Sequence, residues 1–184
     1  VQTCALPICP NAGWAVSSGL SRTDPADPLM RVLYLAALKS PGFQHVNGEP
    51  LDGSLGGQRK IGQVLRALKG AGHEVEVVSS AVSVVSRLGI QAGRREFLDF
   101  PEGRVGLTQP ATAAMKPWGG MIMGGAVPRL VRCMIREWKP DVAVAYNSLL
   151  AEAMGLRACR SAGVPCLLML DDLPSARSRG WNPK

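Results

Sequence analysis

Apolar and polar positions along the chain alternate between two periods. "MRVLYLAAL", from Met30, is a continuous apolar run rich in strand formers. A strand covered on both faces of a parallel sheet reads this way. The segment "KSPGFQHVNGEPLDGSLGG" that follows is dense in Gly, Pro and Asn and reads as a long loop. From Gly57 the period lengthens. Ile61, Val64, Leu65 and Leu68 stand at i, i+3, i+4 and i+7 and draw one apolar stripe. Arg59, Lys60, Gln63, Arg66 and Lys69 fill the other sides. "KGAGH" ends this helix with glycines suited to a left-handed cap, and "EVEVVSS" is a second strand. Strand, helix, strand in this order predicts a right-handed βαβ unit.

Farther along, "AVSVVSRLG" reads as a short helix and "REFLDF" as a short strand. Gly106 to Ala126 has no clear period and is expected to be loop, with at most a short helix. Pro128 suits a first helical position, and Leu130, Val131, Met134, Ile135 and Trp138 mark an amphipathic face that Pro140 ends. "DVAVAY" is a strand. Asn147 or Ser148 is expected to cap the helix "LLAEAMGLRACRSAG". "VPCLLML" is another buried strand, with "DDLP" just past its end. The alternation predicts an α/β domain: a Rossmann-like, doubly wound, mainly parallel sheet with helices on both faces.

Composition narrows the partners. The 184 residues suffice for one ordinary domain, and no apolar run approaches the roughly 20 residues of a membrane span. A net charge of +7 points to something anionic, whether nucleic acid, a membrane surface or a phosphorylated ligand. Aromatic content of 5%, with no basic stretch interleaved with stacking residues, argues against nucleic acid. The five cysteines, at 4, 9, 133, 159 and 166, have no C-x-x-C spacing, so zinc and redox motifs are absent. The expectation is a reduced, cytoplasmic protein with buried thiols, no metal and no cofactor. No Ser–His–Asp or Cys–His arrangement can be assembled from spacing.

The opening "VQTCALPI" resembles the in-frame translation of a common sequencing adapter, so Val1 to Ile8 are set aside. Residues 1–29 as a whole read as a non-native or disordered leader, and residues 30–184 as the domain proper.

In open α/β sheets, ligands bind outside the carboxyl ends of the strands. "SLGGQRK", "YNS" and "DDLP" should all reach that edge. Gly56 and Gly57 let backbone N–H groups approach a ligand, and the helix start behind them favours an anion. Basic Arg59 and Lys60 at that positive end make best sense opposite a negative group. The alternative is a glycine turn that merely redirects the chain. G-x-G-x-x-G and G-x-x-x-x-G-K-[ST] are absent, which disfavours a nicotinamide dehydrogenase or an NTPase. Of Asp171 and Asp172, at most one readily faces the crevice, where it would accept sugar hydroxyls or assist proton transfer. Turn chemistry with Pro174 is the other reading. Asn147 is a cap or a ligand. His73 is expected to be structural, His45 has no assigned role, and Met121, Met123 and Met134 are expected to pack.

From Met30 the chain resembles the amino-terminal domain of family-4 glycosyltransferases of GT-B architecture. The resemblance lies in "MRVLYLAAL", "GGQRKIGQVLRALKGAGHEVEVVSS" and "KPDVAVAYNSLLAEAMGLRACRSAGVPCLLMLDD", in that order. It implies transfer of a sugar from a nucleotide-sugar donor to a glycan or lipid-linked acceptor. It matches Gly56, Gly57 and Gln58 to the loop that reaches the donor diphosphate; with Lys60 of the basic helix start they are the expected donor-phosphate residues, and Asn147, Asp171 and Asp172 at the sheet edge are the expected acceptor residues. It also implies that the donor domain is missing here, that the fragment is inactive alone, and that the protein is cytoplasmic or peripheral at the inner face of the plasma membrane. Arg129, Arg132, Arg136 and Lys139 would then give weak contact with anionic lipid. A GT-B sugar-nucleotide epimerase fragment and a non-catalytic anion-binding α/β module are the alternatives.

Overall fold

The computed structural model describes residues 30–39, 55–81, 90–113, 118–147 and 149–170. The leader, His45, most of "AVSVVSRLG", Asp171 and Asp172 lie outside the described residues.

Strand β1 (Arg31–Ala36) leads to helix α1 (Leu55–Gly70) and strand β2 (Glu74–Ser79). Then come β3 (Ile90–Gln91), β4 (Arg94–Phe100), β5 (Gly103–Gln109) and β6 (Thr112–Ala113). Helix α2 (Trp118–Glu137), β7 (Val142–Tyr146), α3 (Leu150–Ser161) and β8 (Cys166–Met169) complete the order. The main sheet runs β4-β5-β2-β1-β7-β8, and β3 pairs with β6 apart from it. All its pairings are parallel except β4 with β5. This is the doubly wound, mainly parallel α/β sheet that the alternation of periods predicts.

β1 shows why its run is apolar throughout. Val32, Tyr34 and Ala36 face α1 and pack with Ile61, Leu65, Val77 and Val144. Leu33 and Leu35 face the other way, toward Val127, Val131, Met134 and Cys159 of α2 and α3. α3 seats closely because it carries Gly155. A Cβ there would stand 2.9 Å from Leu35 Cδ1 and 3.3 Å from Val127 Cγ1.

At the far edge, the β4–β5 hairpin exposes a polar face. Arg95 pairs with Glu76 at 3.0 Å and Arg104 with Asp99 at 2.7 Å. Both guanidinium groups lie over the Phe97 ring, at 5.6 and 5.3 Å from its centroid.

Three local expectations are corrected. Residues 106–126 are not mainly loop, since β5 reaches Gln109 and α2 begins at Trp118. β5 buries Val105, Leu107 and Gln109 in alternation, a period-2 signal obscured by Gly106. Pro128 does not start a helix but lies inside α2. An internal proline costs roughly 3 kcal/mol, and the glycine-rich first half of α2 has low helix propensity. Burial of Met123, Val127, Val131 and Met134 outweighs both. The cap of α3 is Leu149, with no side-chain cap bond, rather than Asn147 or Ser148. Asn147 instead has φ 64° and turns the chain out of β7. Asparagine tolerates this left-handed conformation better than most residues.

Candidate functional site

The chain leaves β1 toward β2 and later returns to its other side as β7. The crevice outside the carboxyl ends of β1 and β7 is therefore the switch point of the sheet, where ligands of such folds bind.

α1 starts at this crevice. A Cβ on Gly57 would lie 4.0 Å from Tyr146 Cε1, which places the helix mouth against the end of β7. No acidic residue occupies the first turn. The first N–H groups of a helix have no intrahelical partner and carry partial positive charge. Arg59 and Lys60 are exposed beside them. The mouth thus offers donors and positive potential with no carboxylate of its own first turn to neutralise them.

Gln58 has a definite task. Its Nε2 donates to Ala37 O at 3.0 Å, and its Oε1 accepts Lys39 N–H at 3.2 Å. The side chain ties the first turn of α1 to the strap leaving β1. Asn147 also reaches this edge, and its N–H donates to Met169 O at 2.8 Å. Gly56, Gly57, Gln58, Lys60 and Asn147 thus lie on elements that converge at one end of the sheet.

Beneath the mouth, Tyr34 is fully buried. Burial, with Tyr146 nearby, pushes its phenol up to about 12. It stays protonated, and its hydroxyl makes a weak 3.9 Å contact with Met169 Sδ. The Ser79 hydroxyl donates to Leu38 O at 2.6 Å and accepts Ala81 N–H at 3.1 Å. Ser80 N–H donates to Ala36 O at 3.1 Å. These bonds make the exits of β1 and β2 one rigid floor.

Glu152 is a buried acid that the sequence reading did not single out. It lies in the first turn of α3, is 1% exposed, and accepts the Ser80 hydroxyl through Oε1. Its Oε2 is buried with no protein partner. Burial raises its carboxyl above the usual range, against the opposing effect of the Ser80 bond. The available signal was a lone acid on the face shared by Ala151, Gly155, Ala158 and Cys159.

Among the described residues, no three His, Cys, Asp or Glu side chains gather as a metal site, and no helix is long and apolar enough to cross a membrane. His73 lies at the opposite edge of the sheet, between α1 and β2. Met123 and Met134 pack in the core, whereas Met121 is 62% exposed, contrary to expectation.

A sequence profile of the glycosyl transferase 4-like domain matches residues 56–183. The chain belongs to this family. The match begins at Gly56, in the mouth of α1, and runs through every later element. This glycosyl transferase 4-like domain has the Rossmann-like sheet of a GT-B amino-terminal domain. A sugar donor and an acceptor are the general partners of such a family. No curated protein matches the chain. Among solved structures, the C-terminal domain of a hydrogenase from Pyrococcus furiosus aligns with a TM-score of 0.46 at 11% identity, covering 79% of this chain and 95% of that one.

Proposed function

We propose that this domain forms the acceptor-side half of a glycosyltransferase that moves a sugar from a nucleotide-sugar donor to a glycan or lipid-linked acceptor. The observation that carries the reading is the mouth of α1, free of acidic residues in its first turn, at the switch point of a glycosyl transferase 4-like sheet. In sugar transfer, negative charge develops on the departing diphosphate. Preorganised N–H donors and cations lower the energy of that charge. Gly56 and Gly57 admit the diphosphate to the backbone, Lys60 adds positive charge, and Gln58 holds the mouth in place. Asn147, Asp171 and Asp172 are assigned to the acceptor hydroxyls. A separate donor domain supplies the other wall of the cleft, and the protein acts in the cytoplasm or at the inner face of the plasma membrane.

The test is titration of the isotope-labelled 184-residue chain with pyrophosphate, followed through its amide resonances. The reading expects weak binding, with shifts concentrated at Gly56 to Lys60, and no sugar transfer by this chain alone. Shifts confined to other surfaces, or steady turnover without a further domain, would overturn it.

A further inference from the structure

Strand β8 ends the main sheet, and among the described residues no strand pairs with its outer edge. On its inner side, Ala143 N–H donates to Pro165 O and Asn147 N–H donates to Met169 O. The backbone groups of successive strand residues point to alternate sides. Pro165, Leu167 and Met169 therefore turn toward β7, and Cys166 and Leu168 turn their N–H and C=O groups outward. The two edges of the sheet differ in protection. β4, at the far edge, carries Arg94, Arg95, Glu96 and Asp99, each held in an ion pair. Charges of this kind keep an exposed edge from pairing. β8 has none, and Leu167, Leu168 and Met169, with Leu170 just beyond, are 38% to 59% exposed.

The two faces of β8 offer different chemistry. Cys166 and Leu168 border a groove of about 630 Å³ that α3 completes with Leu156, Arg157 and Arg160. Arg157 and Arg160 are exposed and stand three positions apart, on one side of the helix. Among the described residues neither guanidinium takes part in an ion pair. Arg160 lies near the Cys166 thiol and opposes the rise that burial imposes on it, so positive charge stands beside the strand edge. Leu167 and Met169 point to the opposite face, where Met169 Sδ meets the Tyr34 hydroxyl at 3.9 Å. That face is apolar.

We infer that β8 is a docking edge for an extended acidic segment of a partner protein. The segment joins the six-stranded sheet as a further strand beside β8. Its backbone pairs with the outward N–H and C=O groups of Cys166 and Leu168. Its apolar side chains cover Leu167 and Met169, and its carboxylates, on the other face, meet Arg157 and Arg160. In strand addition the main-chain bonds give affinity and the alternate side chains give specificity. Charge complementarity selects this occupant. A purely apolar strand would leave both guanidinium groups unmatched. A second copy of the chain supplies no free carboxylate, since its β8 has no acid and the acids of its β4 are already paired.

Fluorescence anisotropy with the full 184-residue chain tests it. The probe is a capped, labelled peptide in which valine and glutamate alternate. Saturable binding is expected, and it should be lost when lysine replaces glutamate in the peptide. Arg157→Gln with Arg160→Gln should weaken binding about fivefold or more, as two partly exposed ion pairs are removed. Both positions are exposed, and circular dichroism confirms folding of the variant. Two further peptides probe the backbone without altering the protein. One is N-methylated on its valines and the other on its glutamates. Only one of the two sets of N–H groups faces β8, so one peptide should bind and the other should not. Equal binding of the lysine peptide, indifference to the arginine change, or equal behaviour of the two methylated peptides would overturn the inference. So would self-association of the chain in sedimentation equilibrium that excess peptide fails to reverse, because a second copy would then hold the edge.

Discussion

Ser80 donates its hydroxyl to Glu152, and that bond joins the exit of β2 to the first turn of α3. The carboxyl is buried with its second oxygen unpartnered, and burial favours its protonated form. Its folded pKa lies above the unfolded value. The associated stability is therefore complete below the ordinary carboxylate range and falls as pH rises toward the raised folded value. Glu152→Gln keeps an acceptor for Ser80 and removes the buried charge. Its unfolding midpoint at pH 8 should exceed that of the wild type by a few degrees, given that about 1 kcal/mol moves a chain of this size by roughly 2–4 °C. Thermal melts at pH 5 and pH 8 check this, and the gap between the two chains should nearly close at pH 5. Glu152→Ala, which strands Ser80, should instead destabilise at both pH values by about 1–3 kcal/mol.

Gly155 sets how closely α3 approaches the sheet. A methyl group there meets Leu35 Cδ1, the far end of a buried side chain that must shift slightly to admit it, while alanine regains helix propensity of roughly 1 kcal/mol. Valine adds branches that also meet Val127 and Val131. Gly155→Ala is expected to be near neutral, and Gly155→Val to cost about 1–3 kcal/mol through overpacking. Urea denaturation of both variants separates the two effects.

Local patterns are legible in a sequence, and contacts between distant positions are not. The runs from Met30, Glu74 and Val142 declare buried strands because parallel strands hide both faces, and α1 declares itself through one apolar stripe. The mouth of α1 was legible in Gly56, Gly57 and its basic neighbours, since helix ends and glycines have local chemistry. β5 and the first half of α2 were not legible. Gly106 lies over Glu76, and Gly124 makes room for Leu150, so both glycines answer to neighbours distant in sequence. Glu152 was hidden for the same reason, because its partner Ser80 lies 72 positions away.

Gln58 offers a test in which stability and binding move in opposite directions. Gln58→Glu places a negative charge at the positive end of α1, which favours the helix by roughly 0.3–1 kcal/mol. It also removes the donor to Ala37 O, so the net change in stability should stay within about 1 kcal/mol. Pyrophosphate affinity should fall at least about tenfold, because the new carboxylate adds negative charge beside the mouth where the diphosphate is proposed to sit and loosens the tie that holds it. Titration of both chains at one salt concentration makes the comparison. An unchanged affinity would move the anion site away from this mouth.

Cys159 and Cys166 should report how α3 leaves the sheet. Cys159 is fully buried in the core between α2, α3 and β1, and burial, with Cys166 close by, pushes its thiol up to about 12. At pH 8 the reactive thiolate is then scarce, and it is shielded by burial. Cys166 is half-buried, with its thiol donating to Val164 O at 3.2 Å, and burial raises it while Arg160 opposes the shift. N-ethylmaleimide should therefore label Cys166 more slowly than a free thiol and Cys159 more slowly still. The Cys159 rate should climb with urea in parallel with global unfolding, because Cys159 shares the buried core cluster of Leu33 and Leu35. Gly155→Val, which loosens the same interface, should raise that rate. Mass spectrometry of timed samples gives both rates. A Cys159 rate independent of urea would mean that α3 opens by itself, and that the helix bearing Glu152 is a separate, less stable unit of the domain.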